Sequence, residues 1–225
     1  MRTIIISKKF KSISSQLFFH IIPFGLLFLF WEILARTVLA TYEFPPFSAV
    51  VQAISSSLIY HLGVTLAFSF LELLMISLVG LSFGTLIYRS EKLKWAITPV
   101  FWFMIFGIGT AIVIKAPIFI VLFGLSKGLI VLQSILVPLL LVALISGSGH
   151  KMLAIKIGYL LCLLFQIMGE MIFGATDRGI GVMLFQNYHL HNMVALYAAL
   201  LLVGSAGVFV EEVVLGYVGN KLKIE

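Results

Sequence analysis

Apolar residues run along this chain in long, nearly unbroken stretches, and polar residues collect in the short gaps between them. A helix needs about 20 consecutive apolar residues to cross a hydrocarbon core. Six stretches meet that need, at about 17–39, 63–88, 97–124, 129–145, 153–174 and 193–215. The third is longer than an untilted span requires and is interrupted by Lys115 and Pro117. A proline inside a membrane helix is tolerated where neighbours satisfy the carbonyl it frees. Residues 41–62 hold Pro45, Pro46 and serines 55–57 with no Lys or Arg, which predicts an external loop with a short surface helix. Residues 175–192 read as a second polar loop. Gly80 and Gly84, four apart in the second stretch, allow a neighbouring helix to come close.

A cleaved signal peptide is the rival reading of the first stretch. Its apolar region would exceed the usual roughly 7–15 residues and would contain Glu32 and Arg36, so an uncleaved helix is expected. Those two residues, acid first and four apart, can pair on one helix face.

Composition points the same way. Of the 225 residues, 61% are hydrophobic and 11% charged, with a mean hydropathy of +1.16. A soluble domain keeps roughly a quarter of its residues charged, so lipid is the expected solvent for most of this surface. The net charge of +6 does not indicate nucleic acid, because the basic residues sit between the apolar stretches rather than in a patch. If the N-terminus is cytoplasmic, the inner segments hold Arg2, Lys8, Lys9, Lys11, Arg89, Lys92, Lys94, Lys151, Lys156, Lys221 and Lys223, and the outer segments only Lys127 and Arg178. That bias predicts both termini in the cytoplasm and an even number of spans. The expected organisation is a cytoplasmic segment 1–16, one membrane domain 17–218 and a cytoplasmic tail 219–225. The single cysteine, Cys162, lies within a span and is expected to behave as a small buried hydrophobe.

Few residues suggest chemistry. His189 and His191 stand two apart on an expected outer loop, with no acid or cysteine beside them, which is short of a metal-ligand set. There is no phosphate-cradling Gly-x-x-x-x-Gly-Lys motif and no Gly-x-Ser-x-Gly. Catalysis by this chain is not expected, and no cofactor is implied. Ionisable groups within spans are costly and so are candidates for function. Glu72, Lys115 and Glu170 are those groups. They either line a polar route through the bundle or, for Lys115 and Glu170, reach the outer interface or pair with each other. Glu211 and Glu212, at the inner end of the last stretch, are expected to be solvated.

Several segments stand out together by their order along the chain. They are Phe30-Trp31-Glu32-Ile33-Leu34-Ala35-Arg36, Pro45-Pro46-Phe47-Ser48-Ala49-Val50, His61-Leu62 with Thr65-Leu66, and the stretch from Gly80 to Pro99. Further on come Pro117 to Gly124, Pro138, and Gly169-Glu170-Met171 followed by Gly179-Ile180-Gly181. In that order they resemble the permease subunit of bacterial ABC importers of the nitrate/sulfonate/taurine type, a likeness that covers nearly the whole chain and rests on the order of the segments rather than on one of them.

The resemblance implies an all-α bundle of about six transmembrane helices in the bacterial inner membrane. It further implies ATP-driven import of a small solute such as an oxyanion or a sulfonate. The partners it implies are an ATP-binding subunit that performs the hydrolysis, a second permease copy or paralogue, and a periplasmic or lipid-anchored substrate-binding protein. Membrane lipid would surround the bundle, and nucleic acid would have no place. A translocation route through such a bundle would be lined by one or more of the ionisable residues already singled out, Glu72, Lys115 and Glu170.

The chain departs from the family in one place. The family's cytoplasmic loop between its fourth and fifth helices begins with Glu-Ala-Ala and carries a short helix that docks on the ATPase. Here Pro138 to Glu170 is too short to hold it, and only Gly147, Ser148, Gly149, His150 and Lys151 remain to face the ATPase. The chain would then pair with a complete permease that supplies the coupling, serve as a non-transporting scaffold or accessory subunit, or meet a partner that docks differently.

Overall fold

The computed structural model describes residues 22–39, 42–109, 120–122, 124, 126–173 and 178–222. Among these residues the secondary structure is helical throughout, without a strand. The elements are α1 (22–37), α2 (Phe47–Gln52), α3 (Ser56–Ile87), α4 (Glu91–Gly109), α5 (Lys127–Gly147), α6 (Lys151–Phe173), α7 (Ile180–His189) and α8 (Met193–Phe209). α8 continues through a π-helical stretch, Val210–Leu215, into α9 (Gly216–Leu222). Four helices are long and apolar enough to cross a membrane: Ser56–Ile87, Gly128–Gly147, Lys151–Phe173 and Met193–Gly219. This is the architecture of a helical membrane protein. The expected first and third spans fall partly outside the described residues, and Lys115 falls wholly outside them.

Two expectations about loops change. The segment before the second span is largely helix, because α3 begins at Ser56, whose preceding residue Ser55 caps it by accepting the Leu58 N–H at 3.3 Å. The helix that results has 32 residues, about 48 Å at the usual rise and longer than a ~30 Å hydrocarbon layer. The expected polar loop 175–192 contains α7, which buries Ile180, Val182 and Leu184.

The described chain divides into two compact units, one holding α1, α2 and residues Met193–Ala198, the other running over Ser55–Asn192 and from Ala199 on. In the first unit, Glu32 and Arg36 pair as their spacing predicts, Arg36 Nε to Glu32 Oε1 at 2.6 Å. Glu32 also accepts the Ser48 N–H and the Ser48 hydroxyl, each at 2.9 Å. The carboxylate therefore caps α2, whose own N-cap position, Pro46, has no side chain able to accept an N–H. Trp31 donates its indole N–H to the Pro45 carbonyl at 3.0 Å, and Phe28 stacks on Phe47.

In the second unit, α3, α5 and α6 form the core. α3 and α5 run parallel in one constant register, shown by Glu72 with Ser134, Gly80 with Val142, and Gly84 with Ser146. α6 runs antiparallel to both, with Gly158 against Val142 and Ile76, and Gly169 against Ile130. Glycines set these approaches. A Cβ on Gly80 would come within 2.9 Å of Val142 Cγ1, and one on Gly84 would overlap Ser146 and the Ala143 carbonyl. The close contact expected of Gly80-x-x-x-Gly84 is therefore present.

The distribution of polarity is inverted relative to a soluble bundle. On α3 the buried stripe includes Thr65, Ser69 and Glu72, while the exposed face carries Leu71, Leu74, Met75, Leu78 and Phe83. A surface this apolar suits lipid and not water.

Parallel α3 and α5 place their C-terminal ends together, and Gly147 lies directly against the Tyr88 ring. Arg89, Lys92 and Lys94, which follow α3, and Lys151, which follows α5, thus share one end of the bundle. Lys156 joins them through a 3.6 Å ion pair with Glu211, and Lys221 through α9, whose Gly219 packs on Met152. Glu211 is ion-paired there while its side chain stays partly exposed, and Glu212 is exposed as expected.

Candidate functional site

A polar seam crosses the α3–α5–α6 core. It is anchored at the end away from the basic cluster by Glu170, which is 2% exposed. Glu170 accepts from the Thr65 hydroxyl, the Gln166 side-chain amide and the Gly181 N–H, each at 2.9 Å. The expectation that this carboxyl reaches the outer interface is corrected by that burial. It faces inward because three donors there replace water, and a buried carboxyl without partners would be costly.

The donors explain the sequence around Gly179. The first N–H groups of a helix have no partner within it. Here the Gly179 N–H donates to His61 Nδ1 at 3.0 Å, the Ile180 N–H to the Thr65 hydroxyl oxygen at 2.9 Å, and the Gly181 N–H to Glu170. Side chains from α3 and α6 therefore cap α7. Gly179 has φ +134°, a region open to glycine, and a Cβ on it would overlap the Glu170 carboxyl. A Cβ on Gly181 would meet the Ile167 carbonyl and Glu170 Cβ. Both glycines are required where they stand.

Glu72 lies deeper along the same seam and is fully buried. Its Oε1 accepts from the Ser134 hydroxyl, while its Oε2 has no partner. Ser69 Oγ, Gln166 Oε1, Tyr159 OH and both side-chain amide atoms of Gln133 are also buried without partners. Cys162 is buried beside them, its thiol 4.0 Å from the Ser134 carbonyl.

The structure thus brings Glu72 and Glu170 into one seam. Thr65, Ser69, Ser134, Tyr159 and Gln166, which complete it, do not stand out in the sequence. Neutral polar residues are common in membrane helices, and only helical spacing hints at them, as with Thr65, Ser69 and Glu72 or with Gln166 and Glu170.

Gly147, Ser148, Gly149, His150 and Lys151 form a tight turn. Ser148 to Lys151 are exposed, and Gly149 has φ +98°. α5 ends at Gly147 and α6 begins at Lys151, so no helix stands between them. His189 and His191 are both exposed, and no three His, Cys, Asp or Glu side chains gather as a metal-ligand set among the described residues. Comparison with protein-family models, with curated proteins and with solved structures finds no match to this chain.

Proposed function

We propose that this chain is the membrane subunit of an ATP-driven importer that moves a small solute across the inner membrane. Hydrolysis would belong to a separate subunit, and an outer binding protein would deliver the solute. The observation that carries the reading is the Glu170 assembly. Two segments that carry the permease resemblance, Gly169-Glu170-Met171 and Gly179-Ile180-Gly181, form one physical unit that ties α7 to α3 and α6. Helices joined in this way can move as a block, which a rocking importer requires. The basic end of the bundle would face the cytoplasm.

The tight turn at 148–150 supports pairing with a longer permease that carries the ATPase-docking helix. It also favours a second reading, a non-transporting accessory subunit. Co-purification separates the readings from their failure. An importer subunit in mild detergent should bring down an ATPase whose hydrolysis responds to the solute, and Glu72→Gln or Lys115→Gln should lower uptake with insertion intact. An ATPase partner with unchanged uptake would assign the chain an accessory role. The absence of any ATPase partner would reject both.

A further inference from the structure

We infer that Ser69, Glu72 and Gln166 form an occluded site for a small monovalent cation of the sodium class. This assignment is independent of the importer reading.

Register places the three side chains together. Thr65 meets Glu170 and Ile76 meets Gly158, so along antiparallel α3 and α6 Ser69 is level with Gln166, and Glu72 with Cys162. Ser69 and Glu72 are separated along the helix axis by about 4.5 Å. Ser134 fixes one Glu72 oxygen from α5. The Gln166 amide nitrogen is committed to Glu170, which turns its oxygen away from Glu170.

The unpartnered atoms then decide the chemistry. Glu72 Oε2 and Gln166 Oε1 are acceptors, and neither has a donor. Ser69 Oγ and Tyr159 OH are buried without partners in the same part of the core and can offer lone pairs. Glu170 does not share this need, since Thr65, Gln166 and the start of α7 answer its charge. Glu72 receives one hydroxyl hydrogen bond. A single carboxylate among neutral oxygens, within a membrane helix, matches one hard positive charge. A divalent ion would ask for further carboxylates.

Cys162, the single cysteine of the chain, lies level with Glu72 and reports on this site. The full chain in detergent would be heated with a thiol-reactive fluorogenic maleimide, at fixed pH and ionic strength, with sodium replacing choline. Sodium should raise the midpoint of Cys162 exposure by several degrees and saturate, as a ligand of the folded state does. Potassium should act less. Ser69→Ala should weaken the apparent sodium affinity about tenfold, and Glu72→Gln should abolish the rise.

Identical curves in sodium and choline would overturn the assignment. So would a rise that survives Glu72→Gln, or a midpoint that follows pH and ignores sodium, which would mark a proton instead. If Glu72→Gln does not insert, binding of radioactive sodium to the wild-type chain decides the question. Saturable binding lost in Ser69→Ala supports the site, and no saturable binding rejects it.

Discussion

Glu170 shows how one side chain can hold three helices. Its carboxyl takes donors from α3, from its own helix and from the start of α7. Removing it leaves the Gly181 N–H and the Gln166 side-chain amide buried without their acceptor, whereas the Thr65 hydroxyl still reaches the His61 carbonyl at 3.3 Å, and unsatisfied buried donors cost about 1–3 kcal/mol each. Glu170→Ala should therefore lower stability by roughly 2–4 kcal/mol, and Glu170→Gln, which keeps an acceptor oxygen, by less. Gly179→Ala should cost about 1–3 kcal/mol through backbone strain alone, before the overlap with the Glu170 carboxyl is added. Unfolding midpoints of the three variants in mixed micelles would test the order. A Glu170→Ala variant as stable as the wild type would show that the capping network contributes nothing. The sequence marks Glu170, since a carboxyl in an apolar run is unusual, but it does not identify the partners. Thr65 is 105 positions away and Ile180 another 115 from Thr65.

At the scale of elements, small residues decide which helices meet. Gly84, Gly158 and Gly169 stand where a side chain would strike a neighbouring helix, whereas Gly63 and Gly204 have open space around them. Gly84→Leu would press on the Ala143 carbonyl, a backbone atom that cannot turn aside. It should cost about 1–3 kcal/mol or more, while Gly63→Leu should be close to neutral in the same assay. Equal effects at the two positions would refute the packing of α3 on α5. Sequence makes Gly80-x-x-x-Gly84 visible as a contact motif and leaves its partner open. The extent of α3 is also hard to read, because its first turn is polar and resembles a loop until Ser55 is seen capping it. α7 is hidden for a similar reason. Its caps come from other helices, so no local start signal precedes it.

At the scale of the whole molecule, the parallel course of α3 and α5 makes a topological prediction. Cysteines introduced at Ser90 and Ser148 should react with a membrane-impermeant maleimide from the same side of sealed vesicles. One at Ser57, at the far end of α3, should react from the opposite side. Cys162 stays silent because it is fully buried. Labelling of Ser57 and Ser148 from one side would contradict the span of α3. The basic residues make the shared end of Arg89, Lys92, Lys94 and Lys151 legible in the sequence, because charge bias is a one-dimensional record of sidedness.

The chain by itself determined that the molecule is helical and apolar enough for lipid, where polar turns interrupt it, and which carboxyls are out of place. Those properties depend on composition and on spacing within a single helix. Only the tertiary structure decided that Glu32 caps α2, that Glu170 caps α7, and that Ser69 lies level with Gln166 and Glu72 one turn deeper beside Cys162. Such pairings depend on the register between helices. Register is set by how glycines and side chains interlock across an interface, and residues far apart in the chain carry no local trace of it.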